Sequence, residues 1–130
     1  DSESIPAYER VRAQLQAADA VLIVSPEHNR SMPAAVKNLL DIASRPAGKS
    51  LWGGKKTAVI TASPGSYGGI NSGLHIRQSL QAMSADVMIA PEVFLSRAHT
   101  ALADGQVSDA RTAAFLNKFA AAFYAWAQAE

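Results

Sequence analysis

Four consecutive apolar residues, Val21-Leu22-Ile23-Val24, run directly into Ser25-Pro26, and Ser31 and Pro33 then stand before a helical pattern. This order of apolar run, polar break and helix start constrains the fold more than any other stretch. An uninterrupted apolar run suits a strand covered on both faces, as in a parallel sheet. Ser31 is placed to cap the first N–H groups of the helix, and Pro33 suits its first turn. In strand-loop-helix units ligands sit where the strand ends. The segment Pro26–Ser31 is therefore the first candidate for chemistry.

The rest of the chain repeats the pattern. Val11, Leu15 and Ala18 share one face of a predicted helix over 6–18, with Ser4 or Ile5 preceding a first-turn Pro6. A second helix over 32–44 puts Val36, Leu39, Leu40 and Ala43 on one side. Its Lys37 and Asp41 are spaced to pair, and Arg45-Pro46 ends it because the residue before proline avoids the α region. A loop over 47–54 leads to a second buried strand, Thr57–Ala62, and then to Ser63-Pro-Gly-Ser-Tyr-Gly-Gly69. Ile70, Leu74, Arg77, Leu80 and Met83 mark a third helix over 70–84, and a third strand over Asp86–Leu95 is made irregular by Pro91. Asp104-Gly105 supplies a turn, and Ser108 with Asp109 opens a last helix to about residue 128. Its Phe115, Phe119, Phe123 and Trp126 form a stripe expected to meet the sheet.

Alternation of helix and strand predicts a single α/β domain over 1–130, a three-layer α/β/α sandwich around a parallel sheet. Three strands against four helices leave a sheet edge and an apolar helix face short of cover. Either further strands precede residue 1 or a partner covers that edge.

Composition narrows the function. The 130 residues are 48% apolar and 18% charged with a net charge of +1, which gives no basic excess for nucleic acid or an anionic membrane surface. Arg30, Lys37, Arg45, Lys49, Lys55 and Lys56 fall in one half, leaving room for a local anion site. The chain has no cysteine, so it carries neither a disulfide framework nor thiolate chemistry. No apolar run approaches the roughly 20 residues that span a bilayer, and no signal sequence opens the chain. A cytoplasmic location is the default expectation.

Two loops carry the candidate chemistry, residues 25–31 and 63–69. Glycines at 65, 68 and 69 permit close backbone approach, and the helix that follows presents an anion-attracting end. The spacing matches neither a Walker A sequence nor the dinucleotide fingerprint. Gly-x-Ser-x-Gly is absent, and nothing in the spacing of Ser63, Ser66, His75 and Asp86 requires a triad. His28, His75 and His99 lack metal-ligand spacing, His75 suits a surface or subunit contact, and Glu27 has no second carboxylate beside it in the loop. Asn29-Arg30-Ser31 reads as a glycosylation sequon that has no bearing without secretion.

Pro26-Glu-His-Asn-Arg-Ser-Met-Pro33 followed by Leu39-Leu-Asp-Ile-Ala-Ser-Arg-Pro46 resembles a segment of the NADPH-dependent FMN reductases, flavodoxin-like quinone, chromate and azo-dye reductases. Gly54-Lys-Lys56, Ala62-Ser-Pro-Gly65, His75-Ile-Arg-Gln-Ser-Leu80 and Pro91-Glu-Val-Phe94 are similar to that family in the same order. The resemblance implies FMN across the sheet's C-terminal edge, with Pro26, Glu27, His28, Asn29 and Ser31 on one side of the flavin and Ser63, Gly65 and Gly68 on the other. It implies no catalytic side chain and no metal. Hydride would pass from NAD(P)H through flavin N5 to a small-molecule acceptor by a ping-pong course, in a homodimer or homotetramer. His28 stands where the family usually has Tyr and Ile42 where it has Trp. The family's first strand and FMN-phosphate loop are expected before residue 1. Arg30 and Arg45 are the candidates to meet a nucleotide 2′-phosphate. Two alternatives stand beside this reading: a flavodoxin-like binding module without turnover, and a phosphate-binding or hydrolytic domain using Ser63 and Gly65.

Overall fold

The computed structural model describes residues 5–129. Helix α1 (Pro6–Ala17) leads into strand β1 (Ala20–Ser25), helix α2 (Ala34–Ser44), strand β2 (Lys56–Ala62) and helix α3 (Ile70–Ala82). Strands β3 (Asp86–Val87) and β4 (Val93–Leu95) follow, then the short helix α4 (Ala98–Ala101). A hairpin of β5 (Leu102–Ala103) and β6 (Gln106–Val107) turns at Asp104-Gly105, and helix α5 (Ala110–Gln128) ends the chain.

Strand β2 is the centre of the sheet. It pairs in parallel with all of β1, from Ala20 opposite Lys56 to Ser25 opposite Thr61, and on its other side with β3 and then β4. The single strand expected over Asp86–Leu95 is thus split around Pro91, which has no N–H to give to a ladder. Side chains alternate across β1 and β2 and build two cores. On one face Ile23 and Val59 pack with Leu15 of α1, Leu40 and Ala43 of α2, and Ile76 and Leu80 of α3. On the other, Ala58 and Ile60 pack with Met88, Val93 and Phe119 of α5. The result is the expected three-layer α/β/α sandwich.

Strand β1 is an edge of this sheet, and its second face is open. Leu22 and Val24, on the same face as Ala58 and Ile60, are 40% and 65% exposed. The shortage of cover inferred from the strand count is therefore located at these two residues.

Several local expectations need correction. Leu74 is 47% exposed and faces away from the sheet, and Phe115 is 38% exposed, so the aromatic stripe of α5 begins at Phe119. Phe119 stacks on Phe123 at 6.1 Å, and Phe123 meets Trp126 at 6.3 Å. Ser31 does not cap α2: Pro33 occupies the N-cap position, no side chain caps there, and Val36 and Lys37 N–H donate to Pro33 O. At α1 the N-cap is Ile5; Ser4 lies outside the described residues. Asp109 does cap α5, accepting from Thr112 N–H at 2.8 Å.

Trp52, in the segment read as a loop, is fully buried, and its indole N–H donates to Leu40 O at 3.0 Å. A tryptophan can be buried among loop residues when its one donor finds a partner. The C-terminus of α2 is closed from outside: the Arg12 guanidinium donates to Ile42 O at 3.3 Å, Ala43 O at 3.2 Å, Lys49 O at 2.9 Å and also to Arg45 O. Carbonyls that a helix end leaves unpaired are satisfied in this way by a cation that also suits the negative pole.

Candidate functional site

Parallel pairing places the C-terminal ends of β1 and β2 side by side, so the loops that leave them begin as neighbours. Beneath them lies a floor of small buried hydroxyls. Ser25 Oγ donates to Pro26 O at 2.9 Å and lies 3.5 Å from Ser72 Oγ, while Thr61 Oγ1 donates to Gly68 O at 2.8 Å. These bonds set the direction in which each loop leaves its strand.

The first loop closes on itself. His28 N–H donates to Ser31 O at 2.9 Å and Ser31 N–H to His28 O at 3.0 Å, with Asn29 and Arg30 between them at φ of 50° and 65°. Two successive positive φ values define a type I′ turn, for which asparagine is well suited and arginine is not. The second loop is tied to the segment after β4: Ser63 N–H donates to Leu95 O at 3.0 Å, Ala98 N–H to Ser63 O at 3.0 Å and Arg97 N–H to Gly65 O at 2.9 Å.

Three side-chain links then join the first loop to the second loop and α3. Glu27 Oε2 accepts from the N–H groups of Asn71 at 3.0 Å and Ser72 at 3.2 Å, in the first turn of α3. Ser31 Oγ meets His75 Nδ1 at 2.9 Å. The Arg30 guanidinium lies 5.1 Å from the centre of the Tyr67 ring. The loops named from sequence are therefore one continuous rim along the end of the sheet.

Pro26, His28, Asn29 and Gly65 are exposed on this rim, Glu27, Ser31 and Ser63 are half-buried, and Gly68 is buried beneath it. Gly68 has a structural reason of its own. A Cβ there would lie 2.5 Å from Phe94 O and 2.9 Å from Ser96 N, at a φ of +64°. Gly65 differs: a Cβ would meet only Ser63 Oγ, at 3.5 Å.

The α3 N-terminus, read from sequence as an anion-attracting end, is occupied by the Glu27 carboxylate. A helix end attracts negative charge, and here the protein supplies it. Nor does a nucleophile take shape. Ser63 Oγ accepts from Gly65 N–H at 3.1 Å and has no histidine or carboxylate partner among the described residues. Ser31 has a histidine, but no third group orients the His75 ring among those residues, as activation of a hydroxyl requires. Among the described residues no cluster of three or more His, Asp or Glu is placed to hold a metal ion.

The model of a family described as "NADPH-dependent FMN reductase" matches residues 2–100. The chain belongs to the NADPH-dependent FMN reductase family. It is 40% identical over 127 residues, 97% of its length, to a quinone reductase of Pseudomonas putida, of which it covers 68%. It is 38% identical over 116 residues, 88% of its length, to a 2-hydroxy-1,4-benzoquinone reductase of Burkholderia sp, of which it covers 63%. Among solved structures, FerB of Paracoccus denitrificans, a flavoenzyme NAD(P)H:(acceptor) oxidoreductase, superposes with a TM-score of 0.89 at 36% identity, over 98% of this chain and 70% of that one. The fold is accordingly flavodoxin-like, and the chain spans about two thirds of the length of these curated relatives.

For this FMN reductase chain the rim can be tested against the group its family name implies. The backbone N–H groups of Asn29, Arg30, Ser66 and Tyr67 donate to no acceptor among the described residues, and all four residues are exposed on the rim. Amides left without an acceptor on an exposed rim are donors of the kind that a flavin ring's N5 and carbonyl oxygens accept from, so the donor chemistry of the rim fits the ring. The phosphate end has no such provision at α3, where a second anion would meet Glu27. Sequence reasoning did not find His75, Tyr67, Asn71 and Ser72 as loop partners, because their roles depend on contacts 37 to 45 residues apart in the chain.

Proposed function

We propose that this chain carries the flavin-ring site of an NAD(P)H-dependent FMN oxidoreductase of the quinone reductase kind. One observation carries the reading: the family's two loop motifs form a single rim with amides unpaired among the described residues, joined by the Glu27 bonds to α3. FMN, when bound, supplies the hydride chemistry, taking reducing equivalents from NAD(P)H and giving them to a quinone, flavin, chromate or azo acceptor in alternation.

The residues of the chain bind and orient. Pro26, Glu27, His28, Asn29 and Ser31 form one side of the ring site, and Ser63, Gly65 and Gly68 the other. No side chain need move a proton, since backbone N–H groups suffice to stabilise charge gained by the ring. Arg30, on the rim, is the proposed contact of a nucleotide 2′-phosphate; Arg45, the C-cap of α2, lies toward the opposite end of the parallel sheet and is not brought to the rim. The reading includes a homodimer or homotetramer and a cytoplasmic location, and the exposed Leu74 and His75 on α3 suit a contact between subunits.

The test is optical. Purified full-length protein should absorb near 450 nm with FMN and bleach on addition of NADPH, with reoxidation by a quinone. Protein that stays colourless with added FMN would defeat the proposal and favour the binding module without turnover.

A further inference from the structure

The Glu27 carboxylate reaches from the first loop to the N-terminus of α3, and its placement has an electrostatic result. A helix N-terminus is equivalent to about half a positive charge. Glu27, half-buried, accepts from two of the N–H groups that create it, Asn71 at 3.0 Å and Ser72 at 3.2 Å. The sum at this end of α3 is therefore negative by about half a charge instead of positive by the same amount. A flavin ring that accepts a hydride gains negative charge, and a negative neighbour opposes that gain while a bare helix end would assist it.

We propose that Glu27 is a positioning residue that clips the Pro26–Ser31 loop to the N-terminus of α3 and, by reversing the sign of that helix end, holds down the reduction potential of the flavin beside it. The inference rests on the flavin reading above. A lower potential makes the reduced site a stronger donor to the electron acceptor, so the carboxylate adjusts the second half of the reaction without touching the acceptor. The other rim links do not lower the potential: Ser31 and His75 share a hydrogen bond between side chains, and the Arg30 guanidinium over Tyr67 carries a charge of the opposite sign.

The two parts separate in Glu27→Gln and Glu27→Ala. Gln keeps an acceptor oxygen for both N–H groups but removes the charge; Ala removes both. Amide hydrogen exchange on flavin-free protein reads the clip: Asn71 and Ser72 should exchange faster in Glu27→Ala and at close to the parent rate in Glu27→Gln. Dye-equilibrated titration of the FMN-loaded protein reads the charge. Glu27→Gln should favour reduction about tenfold, a rise of about 30 mV for a two-electron couple, a change that a purely structural cap would not produce. Equal potentials in the parent and Glu27→Gln would overturn the electrostatic assignment, as would loss of FMN from Glu27→Gln while the parent retains it. Unchanged exchange at Asn71 and Ser72 in Glu27→Ala would overturn the clip. Failure of the parent protein to take up FMN would instead defeat the flavin reading and the charge role with it, while the exchange result would still decide the clip.

Discussion

The guanidinium of Arg30 lies 5.1 Å from the centre of the Tyr67 ring, across the line where the two rim loops meet. Arg30 holds this position at a φ of 65°, in the part of a type I′ turn where glycine is favoured. A left-handed backbone costs a non-glycine residue about 1–2 kcal/mol, while an exposed cation–π contact returns about 0.5–1 kcal/mol. The strain is the larger of the two.

Arg30→Gly relieves the turn and loses the stack, so its melting temperature should equal or exceed the parent's. Arg30→Ala loses the stack and keeps the strain, and should be less stable by about 0.5–1 kcal/mol. Thermal melts that rank Ala at or above Gly would show that the turn, despite its φ values, is unstrained by Arg30.

Gly68 and Gly65 sit three residues apart in one loop and should respond oppositely to a methyl group. At Gly68 the Cβ would approach backbone atoms of Phe94 to 2.5 and 2.6 Å, and backbone cannot turn aside as a side chain can. Overpacking costs about 1–3 kcal/mol, and the positive φ adds about 1 kcal/mol or more. Gly68→Ala should therefore lower stability by about 2–4 kcal/mol in urea titrations. Gly65→Ala should change it by less than about 0.5 kcal/mol, and under the flavin reading it should weaken FMN binding because the methyl group stands on the exposed rim. Fluorescence titration with FMN checks the second half.

Trp52 is wholly buried against α2. Trp52→Ala should cost about 3–5 kcal/mol, as large-to-small changes at filled sites do. Trp52→Phe keeps most of the volume but removes the indole donor to the Leu40 carbonyl, for about 1–3 kcal/mol. Chemical unfolding measures both, and near-equal losses would assign the energy to the hydrogen bond instead of the ring.

Asp109 gives the pH dependence. The Thr112 hydroxyl at 2.7 Å and the Thr112 N–H at 2.8 Å hold its carboxyl below the ordinary carboxylate value. Because the folded value is depressed, the stabilisation is fully present above the unfolded value of about 3.9 and is lost as pH falls through the folded one. Asp109→Asn retains a capping oxygen without a proton equilibrium. The difference in urea midpoint between parent and Asp109→Asn should thus shrink from neutral pH toward pH 3, and a constant difference would contradict the linkage.

Residues with a periodic or local signal are legible in the sequence. The Val21–Val24 run, the Lys37–Asp41 pair, met at 2.7 Å, and the Asp109 cap depend on neighbours within a few positions. The expectations that failed depend on what lies opposite. Ser31 has the spacing of a cap, yet its hydroxyl meets His75, because α2 starts beyond it and α3 passes within reach. Leu74 has the helical period of a core residue, but it lies outside the face of α3 that Ser72, Ile76 and Leu80 bury.

The sequence by itself determined the alternation of helix and strand, the parallel sheet and the two loops at its end, because periodicity and turn chemistry act over a few residues. Its motifs also identified the family. Only the tertiary structure decided that the α3 N-terminus is filled by Glu27 from 44 residues away, and that Gly68 serves Phe94. A charge meets a helix end, or a glycine a passing backbone, only after the sheet has brought distant segments together. Spacing along a chain carries no record of those distances.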